Sequence, residues 1–439
     1  MNGAYFPKPL FQILLWVALY AAIPVPCLSA QEESVSVFLE AALGHEATFQ
    51  NLRENALLNP GNQLDQRQAA GRFFQTLYLD TAFPGNVSFR LETRTDWFSW
   101  PDGMDTDTIG TNLYGITVND SFDVETWELG YTSPGALFSG GVGKMTWLPG
   151  PAKQLKAANY FEWLFGEYGK TLAWTALTFD QASVKAVYAP RGDWVPESFA
   201  EGAAGILPGE SVFYLQGQAF FDSLDSGFFI SWDSDLTGGA WMSYMVGSDL
   251  LLYGEASFTS KKWMPLLDET NFVLDMTRKN GVRAMGGLLY SPSFANVSLY
   301  LEGMYTGDAY TDGDWENLAR TLTTADAYLE PSAAGIRGSV LQNIRWACMN
   351  PWNFAIHLRP NSSLFDVLDW GYSIRYSLPE DLYSRLDLNF SLPGNIELDL
   401  RWDAPFALGL DHTLRETGCF VYGQRLEICL TFRFNAGNQ

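Results

Sequence analysis

Residues Cys419–Phe434, near the end of the chain, read CFVYGQRLEICLTFRF and decide the fold class. In an extended chain, successive side chains point to opposite faces. One face of this segment is apolar and carries Leu426, Ile428, Leu430, Phe432 and Phe434. The other face carries Arg425, Glu427, Thr431 and Arg433. This alternation predicts a long β-strand with one apolar and one polar face.

The preceding segment, residues 395–411, alternates in the same way. Its apolar positions include Ile396, Leu398, Leu400 and Trp402, and its charged positions include Glu397, Asp399 and Arg401. Residues 382–392 repeat the pattern with Arg385 and Asp387 on the polar side. Residues 366–378 and 352–360 continue it, so five consecutive strands are predicted.

The same reading over the whole chain predicts eighteen strands, with about sixteen as the alternative count. They lie at residues 35–48, 71–82, 86–97, 121–131, 137–147, 169–179, 183–190, 211–221, 226–233, 238–246, 249–260, 281–290, 294–306, 352–360, 366–378, 382–392, 395–411 and 419–434. Short connections such as Pro84-Gly85 and Pro393-Gly394 fall at every second position. The other connections are mostly long, and the longest is residues 307–351.

This pattern resembles the bacterial outer-membrane β-barrels of the porin and substrate-specific channel class. Their last strand has an apolar lipid face and a terminal aromatic residue, and short turns alternate with long outer loops. The resemblance implies an all-β fold: a single closed antiparallel transmembrane barrel over residues 31–439. It also implies outer-membrane lipid and the barrel-assembly machinery as partners. The chain departs from the class in the five residues after Phe434. A soluble β-sandwich or propeller is the alternative, but no fixed-period repeat or linker supports it.

Composition supports exposure to lipid. Charged residues make up 18% of the chain and aromatic residues 15%, whereas soluble domains carry about 25% charged residues. The formal net charge of −23 makes nucleic acid a poor partner.

Residues 1–30 are predicted to be a cleaved signal peptide, which implies export to the outer membrane. Lys8 supplies a small positive region, residues 11–23 an apolar stretch, and Ala30 a small residue for cleavage. No later apolar run approaches the ~20 residues that a membrane helix needs. An integral protein of this sequence must therefore cross the bilayer as a closed barrel.

No motif points to catalysis, a metal or a cofactor, so no enzyme activity is expected. The histidines are His45, His357 and His412, and none lies in a recognisable nucleophile motif. The acidic segments 102–107 and 308–314 suggest calcium loops but lack a complete ligand set.

The expected function is passive diffusion of small hydrophilic solutes, with a preference for cations. Charged residues of the polar faces are the candidates to line the pore: Arg90, Glu92, Arg94, Lys144, Arg385, Asp387, Glu397, Asp399, Arg401, Arg425, Glu427 and Arg433. The candidates to face the membrane are Ile396, Leu398, Leu400, Trp402, Leu426, Ile428, Leu430, Phe432 and Phe434.

The sequence is compatible with several other functions. They are a transporter of hydrophobic compounds, a saccharide channel, suggested by 16 tryptophans, and a surface adhesin or structural barrel. The loop at residues 307–351 is expected either to constrict the pore or to lie on the surface. A short helix is expected in it from Asp314, which would cap the helix.

Overall fold

The computed structural model describes the barrel strands, most of their turns and one helix. The described residues are 35–52, 69–100, 121–145, 170–190, 211–232, 236–267, 274–307, 309–328, 336, 350–364, 367–378, 381–407 and 422–437. All the strands belong to the compact unit Ser36–Gln439. The predicted signal peptide and most of the long connections lie outside the described residues.

Eighteen antiparallel strands form one closed sheet. They are β1 (Ser36–Leu52), β2 (Ala69–Phe83), β3 (Val87–Trp100), β4 (Ser121–Thr132), β5 (Phe138–Met145), β6 (Lys170–Phe179), β7 (Ala182–Ala189), β8 (Val212–Phe221), β9 (Leu224–Trp232), β10 (Leu236–Val246), β11 (Leu250–Leu267), β12 (Leu274–Tyr290), β13 (Val297–Thr306), β14 (Trp352–Pro360), β15 (Leu368–Leu378), β16 (Asp381–Leu392), β17 (Ile396–Ala407) and β18 (Tyr422–Gly437). Each strand pairs with the next in sequence, for example β16 with β17. The last strand, β18, pairs with β1 over nearly its whole length and closes the barrel.

The predicted fold class and strand number are confirmed, but several strand boundaries differ. Strands β11 and β12 are longer than predicted and extend into residues 261–280, which were expected to be a loop. Their alternation is obscured by Lys261-Lys262 and by Thr277 to Asn280. Strand β17 is described from Ile396 to Ala407, and residues 408–411 of its predicted range lie outside the described residues.

Two connections of the same sequence show how the short turns form. Pro84-Gly85-Asn86 and Pro393-Gly394-Asn395 join β2 to β3 and β16 to β17. In both, Gly and Asn have positive φ, with 81° and 62° in the first turn and 84° and 58° in the second. Positive φ at both central residues matches the twist of the flanking strands in a tight hairpin. We call the end of the barrel that carries these connections the turn end.

Paired residues on neighbouring strands face the same side of the sheet, and this also holds where β18 pairs with β1 to close the barrel. Leu400 lies opposite Leu388 and Ile428, and Ile428 lies opposite Ala47 of β1. Arg401 lies opposite Asp387 and Glu427. Ile396, Leu398, Leu400, Trp402, Leu426, Ile428, Leu430, Phe432 and their cross-strand partners form what we call the apolar face. The charged face contains Arg401, Asp387, Glu427 and their cross-strand partners.

Exposure identifies the apolar face as the outer surface of the barrel. Trp232, Phe354 and Phe434 on this face are 66%, 44% and 57% exposed. On the charged face, Asp403 and Thr431 are 5% exposed. Side chains crowd on the concave side of a closed sheet, so the charged face is the inner one.

One described helix, α1 (Asp312–Tyr328), follows β13. It is longer than predicted, and Thr311 rather than Asp314 is its cap: the Asp314 N–H donates to the Thr311 hydroxyl at 3.2 Å. The Thr311 N–H in return donates to the Asp314 carboxylate at 2.8 Å, which is a capping box. Trp315, Leu318 and Leu322 lie on one buried side of the helix, which packs against β11.

Within the described residues, no helix has the length and apolar character needed to cross a bilayer.

Candidate functional site

The charged face of β16 to β18 carries a linked set of ion pairs. Arg401 lies 3.1 Å from Asp387 and 3.1 Å from Glu427, on the two neighbouring strands. Arg385 also contacts Asp387, at 3.0 Å. Arg425 pairs with Glu427 on the same strand. Each of these carboxylates therefore contacts two guanidinium groups, which keeps both charges compensated on the inner wall.

A second group of ion pairs spans the closure of the barrel. Arg433 of β18 contacts Glu40 of β1 at 2.6 Å and Glu397 of β17 at 2.9 Å. On β1 to β3, Arg72 contacts Glu46 at 2.8 Å, and Arg94 contacts Asp96 at 3.1 Å. The strands that close the barrel are thus joined by side chains as well as by backbone hydrogen bonds.

The remaining candidates near these groups also lie on the charged face. Arg90 contacts Asp80 at 3.1 Å. Glu92 accepts a hydrogen bond from Thr126 at 3.3 Å. Asp399 accepts one from the Asn389 amide.

Lys144 is the exception among the candidates. The register places it opposite Trp127, on the apolar face with Leu129 and Val142. Its ammonium group donates to the Val124 carbonyl at 2.6 Å. The other face of β5 carries Ser139, Gly141 and Gly143, so polar and apolar residues do not alternate along this strand. The sequence of β5 therefore does not indicate which of its residues face the inside of the barrel.

The opposite wall contains a feature that the strand pattern did not reveal. Inner aromatic side chains stand directly across from glycines, with Trp174 opposite Gly141, Trp241 opposite Gly227, Phe229 opposite Gly239 and Tyr253 opposite Gly287. A Cβ atom at Gly287 would lie 2.7 Å from the Tyr253 ring, and one at Gly239 would lie 2.5 Å from the Phe229 ring. The rings occupy the space over the glycines, and Phe229, Trp241 and Tyr253 are buried. The glycines at inner positions of these strands are the sequence feature from which this packing could have been predicted.

The described histidines make packing and hydrogen-bonding contacts. His357 Nδ1 lies 2.7 Å from the Ser373 hydroxyl, and its ring packs against Tyr300. No carboxylate hydrogen-bonds to the other ring nitrogen within the described part of the chain. His45 lies on the apolar face against Phe73, with ring centroids 4.5 Å apart. His412 and the acidic segment 102–107 lie outside the described residues.

Among the side chains that the structure describes, no three His, Cys, Asp or Glu residues are grouped as a metal ion would require.

Sequence comparison finds no matching protein-family model and no similar curated protein. Structure comparison does find matches. The crystal structure of OccK1 (OpdK) from Pseudomonas aeruginosa has a TM-score of 0.54 and 7% identity, over 91% of this chain and 99% of that chain. OpdK with vanillate gives a TM-score of 0.53 and 8% identity, over 91% and 99%. OccAB1 from Acinetobacter baumannii gives 0.52 and 10% identity, over 91% and 96%.

Another structure of OpdK is described as that of an outer membrane protein, with a TM-score of 0.52 and 7% identity. At such low identity the resemblance concerns the fold alone. The chain therefore has the closed antiparallel barrel fold of the bacterial outer-membrane protein OpdK.

Proposed function

We propose that this protein is an outer-membrane channel for passive diffusion of small hydrophilic solutes. The observation that carries the proposal is the division between the two faces of the closed barrel. The inner face carries paired charges, and the outer face carries exposed apolar side chains. Charged side chains cost little free energy next to water, whereas apolar side chains are stable against lipid.

The apolar face fits contact with lipid. Its large side chains are exposed on strands all around the barrel, including Phe73, Phe179, Ile230, Val282 and Phe432. A transmembrane strand needs about 9–11 residues, and β1, β11 and β12 have 17, 18 and 17. Residues 1–30 are proposed to direct export, and the barrel-assembly machinery is the proposed partner for insertion.

The side chains of the inner wall favour a general channel over one in which sugars stack on a row of aromatic rings. Tyr214, Phe229 and Trp241 are 2%, 4% and 6% exposed. They therefore present little ring surface on which a sugar could stack. Charged side chains on the same face are more exposed, with Arg401, Asp387 and Arg433 at 45%, 40% and 41%. One of the structurally similar proteins, OpdK, has been solved with vanillate, a small organic molecule.

Vesicle swelling tests the proposed transport. Vesicles that contain the purified protein should swell in isotonic solutions of small sugars or amino acids, and more slowly as solute size increases. Vesicles with protein that was inserted but heat-denatured provide the control. Equal swelling rates with and without folded protein would contradict the proposal.

Cation preference is part of the proposal, because carboxylates outnumber basic groups among the described residues of the charged face. Asp399 is a suitable position for a test, since its hydrogen-bond partner is the neutral Asn389 rather than a cation. Asp399→Lys is expected to lower the ratio of cation to anion permeability, by about twofold or more at low salt.

The reversal potential in a salt gradient measures this ratio. Asp399→Asn removes one charge rather than reversing it, so it should give roughly half the shift in potential. An unchanged reversal potential in Asp399→Lys would show that Asp399 does not face the conducting path.

A further inference from the structure

A polar cavity of about 680 Å³ lies on the charged face at the turn end of the barrel. We call it the niche. Strands β13 to β16 and the connection after β14 contribute its lining, which includes Ser298, Arg359, Asn361, Asp369, Gly371 and Asn389. Asp387, which pairs with Arg385 and Arg401, also lines the cavity. The ion pairs of β16 to β18 therefore reach the edge of the niche.

Side-chain hydrogen bonds hold two adjacent turns together beneath the niche. The Asn361 amide donates to the Ala295 carbonyl at 3.1 Å. Asn296 Oδ1 accepts from the N–H and the hydroxyl of Ser362, at 3.0 and 2.9 Å. Asn296 Nδ2 donates back to the Ser362 carbonyl at 3.1 Å. The base of the cavity is therefore fixed before any solute arrives, which reduces the entropy cost of binding.

The niche contains two side chains of opposite charge. Arg359 and Asp369 are both exposed and both line the cavity. Within the described residues, neither makes an ion pair with a side chain closer than 4.0 Å. By contrast, the arginines of β16 to β18 are all paired with carboxylates: Arg385, Arg401, Arg425 and Arg433. Arg359 instead lies over the Tyr300 ring, 5.2 Å from its centroid, which orients the guanidinium group.

Gly371 keeps the space between these charges open. A Cβ atom at this position would lie 3.3 Å from His357 Cε1 and 4.0 Å from Asp387 Cβ. Any side chain here would therefore enter the niche. The cavity depends on the absence of a side chain on β15 next to Asp369.

We propose that the niche is a binding subsite for small zwitterionic solutes. An anionic group of the solute binds Arg359 through charge-assisted hydrogen bonds, and a cationic group binds Asp369. The ion-paired side chains around the niche compensate one another, so a solute with two opposite charges is favoured over one with a single charge. This inference rests on the proposed channel function and adds a preferred solute to it.

Single-channel recording with matched solutes tests the proposal. β-Alanine carries both charges, and propionate and propylammonium each keep one of them on the same three-carbon chain. β-Alanine is expected to interrupt the current at a concentration at least about tenfold below that needed for either single-charge solute.

Variants assign the effect to the niche. Arg359→Gln and Asp369→Asn should each raise the effective β-alanine concentration about tenfold or more. Arg359→Lys should retain part of the effect, and Gly371→Val should abolish it while open-channel steps persist. Asp249→Asn, in the turn between β10 and β11, is the matched control and should behave as the unmodified protein.

Equal action of the three solutes, or full β-alanine sensitivity in both charge variants, would overturn the proposal while the channel function stands. A complete lack of conductance steps in the unmodified protein would instead contradict the channel function, and this proposal with it.

Discussion

Replacing Ile428 with arginine is expected to lower the free energy of unfolding in a lipid bilayer by about 2–4 kcal/mol. Ile428 lies on the apolar face in the middle of β18, opposite Leu400 and Ala47. A guanidinium group at this depth must leave water without gaining a carboxylate partner. Urea titration of the protein in vesicles, followed by tryptophan fluorescence, measures the loss.

The adjacent position provides the control for Ile428→Arg. Cys429 points to the charged face, where it lies opposite Asp399 and Glu46. Cys429→Arg places the same side chain next to two carboxylates and is expected to cost much less stability. Equal losses in the two variants would contradict the assignment of the apolar face to lipid and the charged face to the pore.

Replacing Gly143 with alanine is expected to destabilise the barrel by about 1–3 kcal/mol or more. A Cβ atom at Gly143 would overlap the Trp127 carbonyl oxygen and lie 2.7 Å from Glu128 Cα. Both atoms belong to the backbone of β4, so no side-chain rotation relieves the overlap. Strands β4 and β5 must move apart, which weakens the hydrogen bonds between them.

Gly286→Ala is the matched control for Gly143→Ala. Gly286 also lies within a strand, but a Cβ atom there would meet nothing within 4 Å. Its replacement by alanine should leave the free energy of unfolding nearly unchanged, or raise it, because alanine reduces the number of conformations open to the unfolded chain. Urea titrations that show equal stability for the two variants would indicate that β4 and β5 are not closely packed at Gly143.

Much of the fold was predictable because the two faces of a barrel meet different solvents. Where both faces carry side chains, as in β17 and β18, period-two alternation predicts the strand and which of its residues share a face. It failed at β5, where Gly141 and Gly143 remove the side chains that define the phase. It also failed at the ends of β11 and β12 away from the turn end, where Lys261-Lys262 and Thr277 to Asn280 interrupt the alternation.

Less of the candidate site was predictable, because its geometry depends on contacts between strands. Arg385, Arg401 and Arg433 were expected on the inner face, but their carboxylate partners follow from the register. The niche was missed, since nothing in the sequence distinguishes Arg359 from the paired arginines. Only the structure shows that Arg359 packs on Tyr300 and that Gly371 leaves space beside it.

Single-channel recording of the purified protein in a planar lipid bilayer tests whether the barrel conducts ions. If the charged face surrounds a water-filled path, insertion should give discrete and uniform conductance steps in a simple salt solution. Protein that is folded, as judged by heat-modifiable migration on a gel, but gives no steps would contradict the account of this barrel as a channel.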